Sequence, residues 1–183
     1  MTRGRQPGAL AAADVPWQAD AALVSSGRVV VRSESDLPAL LDRPLDCPEV
    51  MVMTQERITG FADVVEDHQW IHVERERCTR ESAFGTTIAH GFLTLSLIGW
   101  FLERTLVLAG GRMSINYGLD KVRFIRPVRA GTRLRGRFVL IGIDEHDWGV
   151  HLSWDAAVTD EADDPQGWIR PALAARWLTR WYR

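Results

Sequence analysis

At 183 residues, with 46% hydrophobic and 25% charged residues, the chain can bury one sizeable core without disulfides or structural metals. A formal net charge of -2 and a pI near 6.2 lack the basic balance of a typical nucleic-acid binder. Cys47 and Cys78 make neither a disulfide framework nor a CxxC site, which fits a reducing cytosol, and the longest apolar run, Phe92–Leu102, is too short for a membrane span of about 20 residues.

In chain order, residues 1–27 are rich in Ala, Gly and Asp and read as a loosely ordered arm ahead of a single domain over 28–183. Asp14, Pro16 and Asp20 interrupt any signal-peptide core. Arg28–Val31 reads as a short strand. Ser35 and Asp36 ahead of Leu37, Leu40 and Leu41 predict an N-capped helical turn with Pro38 in its first turn, closed by Pro44 and Pro48. Val50–Met53 reads as a strand. Ile58, Phe61, Ala62 and Val65 then fall at helical spacing, so 54–65 is an amphipathic helix, entered at Thr54 without a full capping box. Asp67–His72 follows as a loop, and Arg75–Ser82 as a short charged helix. Thr87–Val107 is apolar on nearly every side, which predicts an enclosed helix stopped by Gly110 and Gly111. The period then changes. Trp148, Val150, Leu152, Trp154, Ala156 and Val158 alternate with polar or small residues, a strand signal. Arg133–Ile143 and Ala172–Tyr182 are also strand-like, with turns at Asp144–Asp147 and Asp160–Gly167. The fold class is α+β, an antiparallel sheet wrapped around one long helix.

The chemistry-bearing residues concentrate between Ile58 and Gly99. Asp67 and His72 lie five residues apart, and His90 and Gly91 open the apolar helix. Backbone N–H groups at a helix start lack intrahelical partners and carry positive potential. Glycine there lets a carbonyl oxygen approach closely. An acid, an imidazole and such a helix start are the parts needed to add or remove water beside a polarised carbonyl. On spacing alone, an ion pair in a surface loop is the alternative. His68 and His72 have the i, i+4 spacing of metal ligands, but only Glu66 and Asp67 accompany them and no HExxH is present, so no metal site is expected. His90 packs or caps the helix start, while His146 and His151 belong to a surface hairpin. Arg123, Arg126, Arg129, Arg133, Arg135 and Arg137 form a basic run that fits either the phosphates of a bound ligand or a solvated sheet face. Trp148 and Trp154 alternate as core residues, and Trp177 and Trp181 serve the core or a dimer contact.

Three separated blocks carry a family resemblance: DHQWIH from Asp67 to His72, FGTTIAHGFLTLSL from Phe84 to Leu97, and NYGLDKVRFIRPV from Asn116 to Val128. Together they resemble the MaoC-like hydratases, or (R)-specific enoyl-CoA hydratases, of the hot-dog fold, and within them the nodulation protein N-like branch. The resemblance runs from Ser35 to Arg183. It implies hydration of trans-2-enoyl thioesters, or dehydration of 3R-hydroxyacyl thioesters, with Asp67 and His72 as the acid–base pair. Gly91, with His90 beside it, then matches the position whose N–H polarises the thioester carbonyl. Gln69 and Trp70 stand where the common family motif has Asn-Pro. Gly99 occupies the place, eight residues beyond Gly91, that often holds a serine, with Ser96 about one turn earlier. The resemblance further implies no metal or redox cofactor, coenzyme A or phosphopantetheine as part of the substrate, a cytoplasmic homodimer, and an acyl carrier protein as a further partner. The charge balance and the short apolar run, for their part, point to no nucleic-acid partner and no membrane. A hot-dog thioesterase is the enzymatic alternative, disfavoured because the helix carries no carboxylate before Glu103. A non-catalytic acyl-binding subunit of a heteromeric dehydratase is the other, disfavoured by the presence of both Asp67 and His72.

Overall fold

The computed structural model describes residues 28–162 and 170–183, together with the backbone of Val24–Ser25. The arm expected over residues 1–27 therefore lies outside the described residues, apart from Val24–Ser25. That pair forms β1 against β2 (Arg28–Val31). A 3-10 turn spans Glu34–Leu40 and buries Leu37 and Leu40 completely. Its cap is Ser33, two residues earlier than the cap at Ser35 that the sequence predicts. The Asp36 carboxylate accepts the backbone N–H groups of Arg32 and Ser33, at 2.8 and 3.1 Å, and closes the entry from within the turn.

Two short strands, β3 (Pro44–Asp46) and β4 (Met51–Val52), precede three helices, α1 (Gln55–Val65), α2 (Trp70–Val73) and α3 (Arg75–Glu81). The loop expected over Asp67–His72 is thus a correction, since its second half is the helical turn α2. Val65, counted on the apolar face of α1, is 47% exposed because the helix ends there. The long helix α4 (Gly91–Thr105) is shorter than expected at both ends. Thr87–Ala89 is extended and bridges to Arg129, and the chain leaves the helix directly into β5 (Leu106–Leu108), which pairs in parallel with β2. Gly110 and Gly111 therefore form a turn after β5 and do not stop the helix.

Four long strands complete the chain: β6 (Met113–Phe124), β7 (Arg133–His146), β8 (Gly149–Asp160) and β9 (Leu173–Tyr182). The six-stranded sheet orders them β3-β7-β8-β9-β6, with β4 also on β7. All of its pairings are antiparallel. Its inner face curves around α4, the arrangement expected for the hot-dog fold. Alternation places Leu152, Trp154, Ala156 and Val158 inward on β8, opposed on β9 by Thr179, Trp177, Ala175 and Leu173. The Trp154 indole N–H donates to the Thr179 hydroxyl at 3.0 Å, so the ring is buried with its polar atom satisfied. Gly136 on β7 lets the sheet meet the helix, for a Cβ there would fall 2.4 Å from that of Phe101.

Two sequence expectations yield to tertiary context. Helix α4 buries Leu93, Leu97, Ile98, Phe101 and Leu102 but leaves a stripe through Phe92, Ser96 and Glu103 open, so it is not enclosed all round. Strand β6 was not singled out by periodicity. Two register shifts on β9, at Asn116/Gly118 and Leu119/Lys121, break its alternation. No helix among the described residues is long and apolar enough to cross a membrane.

Candidate active site

The site forms where α1, α2 and the start of α4 meet. Thr54 caps α1, its hydroxyl accepting the Arg57 N–H at 3.4 Å. The helix ends at Glu66, whose left-handed backbone (φ 57°) turns the chain back so that the Asp67 N–H reaches the Ala62 carbonyl at 3.1 Å. This turn presents the Asp67 carboxylate, half-exposed, with Oδ1 accepting the Gln69 N–H at 3.3 Å. One turn later α2 brings in His72, 7% exposed.

His72 is fixed from two sides. Its Nδ1 donates to the Ile88 carbonyl at 2.7 Å. A carbonyl can only accept, so the proton sits on Nδ1 and Nε2 keeps its lone pair. Its own carbonyl accepts from the Gln55 side-chain amide at 2.8 Å, and the buried Thr87 hydroxyl donates in turn to the Gln55 amide oxygen. The segment that holds it is itself pinned. Ile88 N–H donates to Ile71, Ala89 N–H to Val128 and Ala130 N–H to Thr87, at 3.0, 2.7 and 3.0 Å. Burial pushes the His72 imidazole below the usual histidine range, with the neighbouring His90 acting in the same direction. The Ile88 hydrogen bond and the Asp67 carboxylate oppose the shift.

His90 precedes α4 and lies 4% exposed against His72, the two rings stacked at 3.7 Å. Its Nε2 donates to the main-chain oxygen of Asp67 at 3.0 Å, which ties the acid's loop to the helix start. Gly91 is the first helical residue, so its N–H lacks an intrahelical partner. The Phe124 ring stands 3.0 Å from where a Cβ would be, leaving that N–H no room to share with a side chain. A cleft of about 270 Å³ opens here, with His72, Gly91 and Thr94 on one side and Phe124, Ile125 and Arg126 on the other.

Potential ligand atoms of Asp67, His72 and His90 lie within 4.8 Å of one another. Two of the ring nitrogens are already committed as donors, His72 Nδ1 to the Ile88 carbonyl and His90 Nε2 to the Asp67 main-chain oxygen. The arrangement suits proton transfer better than metal ligation.

All four residues singled out from the sequence, Asp67, His72, His90 and Gly91, are brought together. His68 turns away, pairing with Asp63 at 2.9 Å. Gln69 and Trp70 do not line the cleft, and the Trp70 ring instead lies under the Arg77 guanidinium at 4.5 Å. Ser96 points outward and donates to the Leu93 carbonyl at 2.7 Å. Sequence reasoning missed Thr94, which the apolar pattern counted only as an interruption. Its place one turn after His90 was the available signal. It also missed Gln55, and Phe124 and Ile125 as cleft residues, which no local pattern marks.

The family described as "MaoC like domain" matches residues 36–161. The chain belongs to the MaoC-like family. Among MaoC-like relatives, it is 43% identical over 148 residues to nodulation protein N of Rhizobium leguminosarum bv. viciae, covering 80% of this chain and 89% of that protein. It is 37% identical over 149 residues to 3-hydroxyacyl-thioester dehydratase Z of Mycobacterium tuberculosis (strain ATCC 25618 / H37Rv), covering 81% and 95%. The solved (R)-hydratase from A. caviae involved in PHA biosynthesis superposes with a TM-score of 0.61 at 18% identity, over 76% of this chain and 95% of that one, which supports the hot-dog fold.

Proposed function

We propose that this MaoC-like protein hydrates trans-2-enoyl thioesters to 3R-hydroxyacyl thioesters and catalyses the reverse dehydration. One observation carries the reading. His72 is buried at the cleft with its proton committed to Ile88, so that Nε2 is a base held among Asp67, His90 and the free N–H of Gly91. The name of the mycobacterial relative, a 3-hydroxyacyl-thioester dehydratase, supports the same reaction class.

In hydration the thioester carbonyl accepts the Gly91 N–H, and a water lies between Asp67 and His72. His72 Nε2 takes one proton as the water oxygen bonds to the β-carbon, while Asp67 accepts a hydrogen bond from the other O–H, which stays on the product as the 3-hydroxyl, and so orients the attack. The double-bond electrons move toward the carbonyl oxygen, where the Gly91 N–H stabilises the enolate. The α-carbon then takes the proton back from His72 on the same face, which restores the neutral imidazole. General acid–base help of this kind is worth about 10²–10⁴-fold, and one oxyanion donor about 10²–10³-fold. No metal or redox group is needed, because every step is a proton transfer or a polar addition. Coenzyme A or a pantetheine arm belongs to the substrate.

The working unit is a homodimer joined along β6. Among the described residues this strand has β9 as its one neighbour, and it exposes Met113, Ile115, Leu119 and Phe124 at 42–56%. An unpaired apolar edge invites a second strand, and a second copy would cover it.

The test is a hydration assay on crotonyl-CoA and longer enoyl-CoAs, with chiral analysis of the product. Asp67→Asn and His72→Gln should each lower kcat by about 10²–10⁴-fold with the circular dichroism spectrum unchanged. Undiminished hydration in both variants would remove the assigned pair. Thioester cleavage without hydration would make the protein a thioesterase, and tight binding without turnover would make it an accessory subunit.

A further inference from the structure

The structure divides the arginine run that the sequence presents as one block. Arg133 and Arg135 both pair with Glu161, and Arg137 with Asp46, so these three belong to the sheet's own ion pairs. Arg123 lies opposite Ala174 on the β6 ladder, donates to the Val122 carbonyl, and lines neither cleft. Arg126 and Arg129 have a different setting. A second cleft, of about 250 Å³, continues from the active-site cleft, sharing Arg126, Pro127, Val128 and Ala172 with it and adding Arg129, Thr132 and Asp160. Two arginines against one aspartate leave this lining at a formal charge of +1. Arg129 is exposed, makes no ion pair among the described residues, and is rooted close to the chemistry, its backbone bridging to Ile88 whose carbonyl holds His72.

The active-site cleft is thus walled mainly by apolar residues such as Phe124 and Ile125, Arg126 stands where the two clefts join, and the second cleft adds Arg129, Thr132 and Asp160. A pantetheine-linked thioester has the same polarity, with an apolar acyl group at one end and a phosphorylated arm at the other. Resting on the hydratase reading, we propose that Arg126 and Arg129 bind the phosphate-bearing arm of the thioester. They then act as specificity-determining residues favouring phosphorylated carriers over simple thioesters.

The experiment compares one enoyl group on three carriers: coenzyme A, 4′-phosphopantetheine, and N-acetylcysteamine, which has no phosphate. Arg129→Gln and Arg126→Gln should each raise KM for the coenzyme A ester about fivefold, and the double variant tenfold or more, with kcat little changed. KM for the N-acetylcysteamine ester should not move. Arg123→Gln should behave as wild type with all three. An equal effect on the phosphopantetheine ester assigns the pair to the phosphate that coenzyme A and a carrier protein share, and an effect confined to coenzyme A assigns it to the adenosine phosphates. Equal losses on the ester without phosphate, or the same change in Arg123→Gln, overturn the proposal. Failure of the wild type to hydrate any of the three overturns the hydratase reading itself, and is distinguishable because no KM can then be compared.

Discussion

Strands β8 and β6 are each twelve residues long and lie in the same sheet, separated only by β9, yet they live in opposite environments. On β8 the inward residues Leu152, Trp154 and Val158 are fully buried under α4. On β6 the side chains opposite the inward residues of β9 include Leu119 and Phe124, at 42% and 48% exposure. The helix covers the middle of the sheet and stops short of its edge. Burial in this fold is therefore set by distance from α4 more than by hydrophobicity. The uncovered edge also carries the cleft, since the end of β6 supplies Phe124 and the chain beyond it supplies Ile125 and Arg126. The buried core and one wall of the cleft are thus carried by different strands of one sheet.

Three measurements would break or sharpen that contrast. The largest effect should come from Trp154→Ala on β8, which empties a fully buried site and orphans the Thr179 hydroxyl. A loss of about 3–5 kcal/mol in urea unfolding is expected, enough to leave the domain marginal. A loss below 1 kcal/mol would mean that β8 is not the stabilising strand. Leu119→Arg on β6 should shift the unfolding free energy of the protomer by no more than about 0.5 kcal/mol. In sedimentation, however, it should reduce the particle to the 20.6 kDa of one chain. Retention of the wild-type mass would show that this edge is not the contact between copies.

The smallest effect concerns acidity where the cleft meets the helices. Burial lowers the folded-state pKa of His72, so its neutral form, the base in the proposed hydration, should persist below the ordinary histidine value of about 6.5. The hydration rate should hold through that pH and fall only on further acidification. The sign for stability follows. The unfolded chain binds the proton at higher pH than the folded one, so the contribution of His72 is complete above the unfolded value. It is lost as pH falls toward the folded value. His72→Gln should remove this limb from the stability profile; an unchanged limb would assign it to another group.

The sequence made α4 legible as the run Thr87–Val107, apolar on nearly every side, and β8 legible because Trp154 and its neighbours alternate at period two. Both signals are local and both faces concerned are buried. The candidate site was legible at Asp67, His72, His90 and Gly91, which the DHQWIH and AHGF blocks mark. Strand β6 was harder, because two register shifts break its alternation and its apolar residues are left exposed.

The sequence by itself determined the α+β class, which depends on local periodicity, and it offered Asp67, His72, His90 and Gly91 as site candidates through the family resemblance of their two blocks. Only the tertiary structure decided that the Ile88 carbonyl sets the His72 tautomer, that the rings of His72 and His90 stack, and that six arginines divide among a ladder position, a cleft and the sheet's own acids. The physical reason is that proton placement and charge pairing depend on which groups meet across long loops. That is a property of packing, which no local pattern in the chain encodes.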